Sequence, residues 1–230
     1  MRTAELRRTE LPWPSWSVVM VERRPVLPAT VDRDIRQVLD WLDDFISAPH
    51  PDLGRSGDVC PFVRASRLRR ELFLALRYDV DGDSGEELGR VVREEVERFT
   101  ARFPLPPSAR GPVTTSQVVA FPAIPDRRWE VIDQSYPALK EELVAEGLMI
   151  GQFHPTCPEP AVRNRDFPVS RSPLPMYALR WMAVHDILFL RGRRTWFERY
   201  RSRFGALHDN GRVADPLLRR YYEEALRAYG

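Results

Sequence analysis

The chain is poor in the residues that announce chemistry. It has two cysteines, four histidines and a single lysine in 230 residues. Two thiols cannot build a disulfide framework, and Cys60 and Cys157, each followed by proline, point to a reducing, cytoplasmic setting. No stretch approaches the roughly 20 consecutive apolar residues that would cross a bilayer. The amino-terminal residues, with Arg2, Arg7 and Arg8 followed by Pro12, Trp13, Pro14 and Trp16, do not read as a secretory signal. A net charge of +2 is too small to favour nucleic acid, despite the arginine runs 67–70 and 191–194. The expected partner is therefore a small molecule, without a membrane; a homodimer is left open. Gly-x-Ser-x-Gly elbows, phosphate-binding glycine loops and paired-carboxylate spacings are also missing.

What is present is a regular alternation of elements. Val31, Ile35, Val38, Leu39, Leu42, Phe45 and Ile46 recur at helical spacing behind Thr30, a candidate cap, and the helix should stop before Pro49 and Pro51. Residues 72–80 are rich in strand formers and run into Asp81, Gly82, Asp83, Ser84 and Gly85, a turn cluster. Ser84 and Glu87 have capping-box spacing ahead of an apolar stripe that reaches Phe103. A strand over 114–121, a helix over 126–146 remodelled near Pro137, and a strand over 148–153 follow. The spacing then predicts a short helix near Pro173, a strand over 183–190, and helices over 195–204 and 215–229. Together these give an α/β (α+β) class: helices packed on one central mixed sheet. Parallel crossovers and a ferredoxin-like arrangement both satisfy the pattern. The length suits a single domain over 1–230, with residues 1–16 as a loosely ordered arm.

The most chemistry-like stretch runs from Leu148 to Leu190. His154 stands at a strand end, stiffened by Pro155, where its imidazole could be presented to a metal, a haem iron or a proton to be moved. A lone imidazole also serves as a capping group. Cys157 lies three residues on, without the paired spacing of a zinc motif. Between Pro158 and Pro175, Arg163, Arg165 and Arg171 could hold a carboxylate by forked hydrogen bonds, or could lie in a solvated loop. His185, on the expected strand 183–190, is a second candidate ligand or acid–base partner for His154, or an enclosed core histidine. Cys60 reads as a packing residue, and His50 and His208 receive no role.

Cys60-Pro61-Phe62, Gln152-Phe153-His154-Pro155, Asn164-Arg165, Arg171-Ser172-Pro173-Leu174-Pro175-Met176 and Leu179-Arg180 resemble, in that order, the motifs of a bacterial family of unknown function. More distantly, the His-Pro at a strand end and the arginine-bearing loop resemble the YqcI/YcgG family. That second resemblance implies a haem-dependent oxygenase of small-molecule metabolism, with His154 on the iron and the arginines holding carboxylates. The chain departs from it at Arg171 to Pro175, where that family carries an Asn-Pro-His type segment. The expectation is a haem-dependent oxidative enzyme acting on a carboxylate-bearing metabolite. The alternative is a non-catalytic protein that binds an anionic ligand or a protein partner.

Overall fold

The computed structural model describes residues 7–9, 17–21, 28–105 and 113–230. In chain order the main elements are β1 (Arg7–Thr9), β2 (Ser17–Val21), α1 (Pro28–Trp41), α2 (Val63–Leu68), β3 (Leu72–Arg77) and α3 (Gly85–Arg102). Then come β4 (Ser116–Ala120), α4 (Glu130–Ala145), β5 (Leu148–Phe153), β6 (Pro160–Ala161), β7 (Asn164–Pro168), β8 (Met176–Trp181), α5 (Ile187–Leu190), α6 (Arg194–Asp209) and α7 (Pro216–Tyr229). Six strands form one sheet in the order β1-β2-β3-β4-β8-β5, and β6 and β7 make a separate hairpin.

The parallel alternative is the one realised. β2, β3 and β4 are parallel neighbours. β8 is antiparallel to both β4 and β5, so β5 runs parallel to β4 with β8 inserted between them. Such pairing needs helical crossovers, which α3 and α4 supply, and it rules out a ferredoxin-like sheet. Of the expected amino-terminal arm, residues 7–9 pair with β2, while 1–6 and 10–16 lie outside the described residues.

Side-chain alternation sends each strand's residues to two apolar layers. Ala75, Val119, Phe121, Leu148, Ile150, Tyr177 and Leu179 meet the stripes of α3 and α4. Leu74, Leu76, Val118, Ala120 and Met176 meet Ile35, Val38, Leu39 and Leu42 on the other face. Val144 and Met149 carry the layer on to α5, α6 and α7. α3 begins where the sequence indicates, the Ser84 hydroxyl accepting from the Glu87 amide at 3.3 Å. Its buried Glu95 joins Arg77 at 2.7 Å and the Gln117 amide at 2.8 Å, fixing the helix to β3 and β4 through charged groups.

Two boundaries differ from expectation. α1 starts at Pro28, so Thr30 lies inside the helix, and it passes into a π-helical turn over Leu42–Ile46. The strand expected over 183–190 lies earlier, in β8, where a short helix was expected; residues 184–190 form a 3₁₀ turn and α5. The cause is Asp186. Its carboxylate turns back to accept from the Ala183 amide at 2.7 Å, a local bond that ends extended structure and starts a helical turn.

Candidate metal centre

The end of β5 folds back on itself. Pro155 occupies the position of a four-residue turn that suits its fixed φ, and the Cys157 amide donates to the His154 carbonyl at 3.0 Å, closing that turn. This brings the sulfur back beside the imidazole. Gln152 and His154 share the face of β5 that carries Leu148 and Ile150 toward α4. There, Asp133 on α4 meets them.

The Asp133 carboxylate lies 2.9 Å from His154 Nε2 through Oδ2, and 3.9 Å from Cys157 Sγ through Oδ1. One potential ligand atom from each of Asp133, His154 and Cys157 lies within 4.8 Å of the others. Thr156 Oγ1 stands 3.2 Å from His154 Nδ1. Asp133 and Thr156 thus engage both ring nitrogens of His154, and which nitrogen donates depends on the tautomer. His154 is 2% exposed and Cys157 is fully buried, whereas the Asp133 side chain is 31% exposed and gives the cluster its solvent edge. Burial pushes the Cys157 thiol up to about 11, reinforced by the Asp133 and Glu159 charges; the Glu159 amide and the Gln152 side chain act in the opposite sense. Gln152 Oε1 is buried without a hydrogen-bond partner. A fully enclosed carbonyl with nothing to accept from is costly.

The helix around Asp133 is also unusual. Pro137 sits inside α4 and has no amide to give the carbonyl of Asp133 four residues earlier. Tyr177 braces this turn from β8, its hydroxyl donating to the Ile132 carbonyl at 2.6 Å.

The residues singled out in the sequence separate. His154 is in the cluster, but its ring is enclosed instead of opening onto the polar segment. The reason is alternation: His154 faces α4, while Phe153 faces the other layer and meets Trp41 edge-on at 5.3 Å. The 158–175 segment, partly the β6–β7 hairpin, is tied to that other layer. Asn164 donates to the Asp52 carbonyl at 2.7 Å, and the Trp41 indole donates to the Arg171 carbonyl at 2.9 Å. Arg163, Arg165 and Arg171 are exposed, and among the described residues their guanidinium groups have no hydrogen bond or ion pair. His185 is exposed on the 3₁₀ turn, its ring 5.8 Å from Phe62, and lies outside the cluster; the enclosed strand position expected for it is not formed. Cys60 packs against the α1-side layer, as a small packing residue would. Asp133 was the residue that sequence reading missed. It lies 21 positions before His154 on an amphipathic helix, and the one local signal beside it is Pro137.

Residues 35–214 match the family described as a domain of unknown function (DUF6875). The chain belongs to that family. No curated protein and no solved structure matches it. The DUF6875 match spans Asp133, His154 and Cys157 together with the arginine-bearing segment.

Proposed function

We propose that this DUF6875 protein is a metal-dependent enzyme of small-molecule metabolism, holding one transition ion with Asp133, His154 and Cys157. The observation that carries this reading is the convergence of an oxygen, a nitrogen and a sulfur donor within 4.8 Å, on two different elements, beside the unpartnered Gln152 carbonyl. Three protein ligands with one position left open is the pattern of catalytic zinc sites, and mixed N, O and S donors suit zinc or a neighbouring first-row ion. An ion so held polarises a carbonyl or acidifies a bound water. The partly exposed Asp133 edge gives the open position its approach.

Haem on His154 fits these residues less well. Both ring nitrogens already have protein partners, and the ring is almost fully enclosed, so a porphyrin would have to displace Asp133 or Thr156. A single ion would need the ring proton carried on Nδ1, where the Thr156 hydroxyl can accept it, so that Nε2 is free, and the Cys157 proton to leave. The exposed Arg163, Arg165 and Arg171 support a second reading, a surface for an anionic ligand on the opposite side of the sheet, independent of the metal.

The test is loading with cobalt(II) followed by visible and near-ultraviolet spectroscopy. The reading expects one ion per chain and a thiolate-to-metal band that Cys157→Ser removes. Haem added to the same protein distinguishes the alternatives: a Soret band that depends on His154, with no cobalt uptake, would replace this reading by the haem one.

A further inference from the structure

Trp129 differs from the other tryptophans that the structure describes. Trp41 and Trp181 give their indole N–H to the carbonyls of Arg171 and Phe103, and Trp196 gives its own to Glu141. The Trp129 indole N–H has no hydrogen-bond partner among the described residues, and its ring is half-buried. An enclosed indole normally finds an acceptor, so this ring has an apolar body in the protein and an uncommitted polar edge.

Its position puts that edge beside the proposed ion. Trp129 leads into α4 with helical dihedrals, φ −56° and ψ −27°. Trp129, Asp133 and Tyr136 therefore follow at i, i+4 and i+7 on one side of the helix, with the acid between two half-buried rings. Helical side chains lean toward the amino terminus, which tilts the Asp133 carboxylate toward the tryptophan. The Trp129 ring centre lies 6.5 Å from that of His154, with the planes at 45°. Asp133, 31% exposed, and the exposed Thr156 open this corner to solvent. A group bound at the ion from the Asp133 edge comes within reach of the indole.

The charges at this corner offer an anion nothing to bind. Those that act on Cys157 are Asp133 and Glu159, and Glu159 also acts on Tyr136. Glu159 is exposed and has no ion pair among the described residues. No arginine acts on either group, and Arg128, just before Trp129, is held by Asp81 and Asp83. The cation beside Tyr136 is Lys140, seated 5.4 Å from that ring's centre and 4.7 Å from the centre of Trp196, with Glu159 acting on it. A carboxylate arriving here meets no guanidinium fork.

We infer that Trp129 is the specificity-determining residue of the Asp133, His154 and Cys157 site, and that the substrate carries a flat, uncharged aromatic group that packs on the indole while its reacting group meets the ion. The inference rests on the metal reading of that site. It departs from the carboxylate-bearing substrate expected from the sequence, because the arginines behind that expectation lie on the other side of the sheet. Ring-on-ring contact favours an aromatic body over an aliphatic one of similar reach, and the free N–H can take an acceptor on the ring.

The experiment loads the full chain with cobalt(II) and titrates it with hydroxamates, which share one ion-binding head, following the visible spectrum. Benzohydroxamate is expected to bind about tenfold tighter than acetohydroxamate, the gain from laying one ring against another. Trp129→Leu should lose most of that ratio, and Trp129→Phe, which keeps a ring, should hold most of it, with cobalt stoichiometry and circular dichroism as checks on the fold. The para-carboxy analogue of benzohydroxamate should bind no better than benzohydroxamate itself. A native ratio near one, a full ratio in Trp129→Leu, or tighter binding of the carboxy analogue would overturn the inference. The first and last of these need no variant, so they decide even where Trp129→Leu fails to fold. Absence of cobalt uptake rejects the ion and the substrate site with it, whereas uptake with a ratio near one rejects the aromatic substrate alone.

Discussion

Asp186→Ala should be among the most damaging single changes in this chain, for an electrostatic reason. The Asp186 carboxylate is fully buried and accepts from Arg180 Nη1 at 2.7 Å, from Arg180 Nη2 at 2.6 Å and from the Ala183 amide at 2.7 Å. Truncation leaves the guanidinium, 18% exposed, with only the Trp181 carbonyl at 3.1 Å and the Phe62 face at 4.4 Å. Removing one partner of a buried pair costs about 3 to 5 kcal/mol, because an uncompensated charge remains inside. With a urea m-value of about 3 kcal/mol/M, the unfolding midpoint should fall by roughly 1 to 1.7 M. Asp186→Asn, which keeps an acceptor for the Ala183 amide, should fall between. Arg180→Met combined with Asp186→Ala should recover at least about 1 kcal/mol of the loss, since the stranded cation goes with its partner. A loss under about 1 kcal/mol for Asp186→Ala, or strictly additive variants, would show that the pair does not hold β8 to the turn that follows it.

Three further outcomes follow from the packing. His208 is stacked on Tyr222 at 3.9 Å, its Nε2 is 2.9 Å from the Tyr200 hydroxyl and its Nδ1 is buried without a partner, and burial lowers its pKa. The native state therefore binds fewer protons than the unfolded chain: this contribution is complete above the unfolded value of about 6.5 and is lost as pH falls through the window beneath it, so His208→Phe should flatten that part of a stability–pH curve. Tyr177→Phe removes the hydroxyl's bond to the Ile132 carbonyl beside the Pro137 break and should cost about 1 kcal/mol by urea unfolding; no change would mean that the bond adds nothing net. Ser84→Ala should cost about 1 kcal/mol through the lost α3 cap, and an unchanged midpoint would show the cap to be redundant.

The helical stripes of α1 and α3 and the strands β3, β4 and β5 were legible because each obeys one periodicity strongly: Val31 to Ile46 and Leu88 to Phe99 repeat like helices, and Leu72 to Leu76 is a short apolar run closed by turn residues. The segment from Pro173 to Leu190 was not. Pro173 and Pro175 read as the start of a short helix where the chain enters β8, and the alternation after Ala183 is overruled by one local bond from Asp186. The candidate site was half legible. His154 was visible because it ends a strand ahead of Pro155, while the turn that brings Cys157 back beside it is seen only in the structure. Asp133 was hidden because contacts between a helix and a strand end depend on crossover geometry, which no local pattern records. The arginines of the 158–175 segment were placed near His154 by proximity in sequence, yet adjacent strand residues face opposite sides, and the segment follows Phe153 to the α1 side.

The central claim is that Asp133, His154 and Cys157 act together as one ligand set. Its most direct measurement is equilibrium zinc(II) binding, with bound metal counted after dialysis, for the native protein and for Asp133→Ala, His154→Ala and Cys157→Ser. With only three protein ligands holding the ion, losing one of them removes most of the affinity. The account predicts one zinc per native chain and a loss of at least tenfold in affinity in each variant, with far-ultraviolet circular dichroism unchanged. A native protein that retains no zinc, or three variants that bind it as well as the native chain, would contradict it and leave the Asp133–His154 contact as a structural bond between α4 and β5.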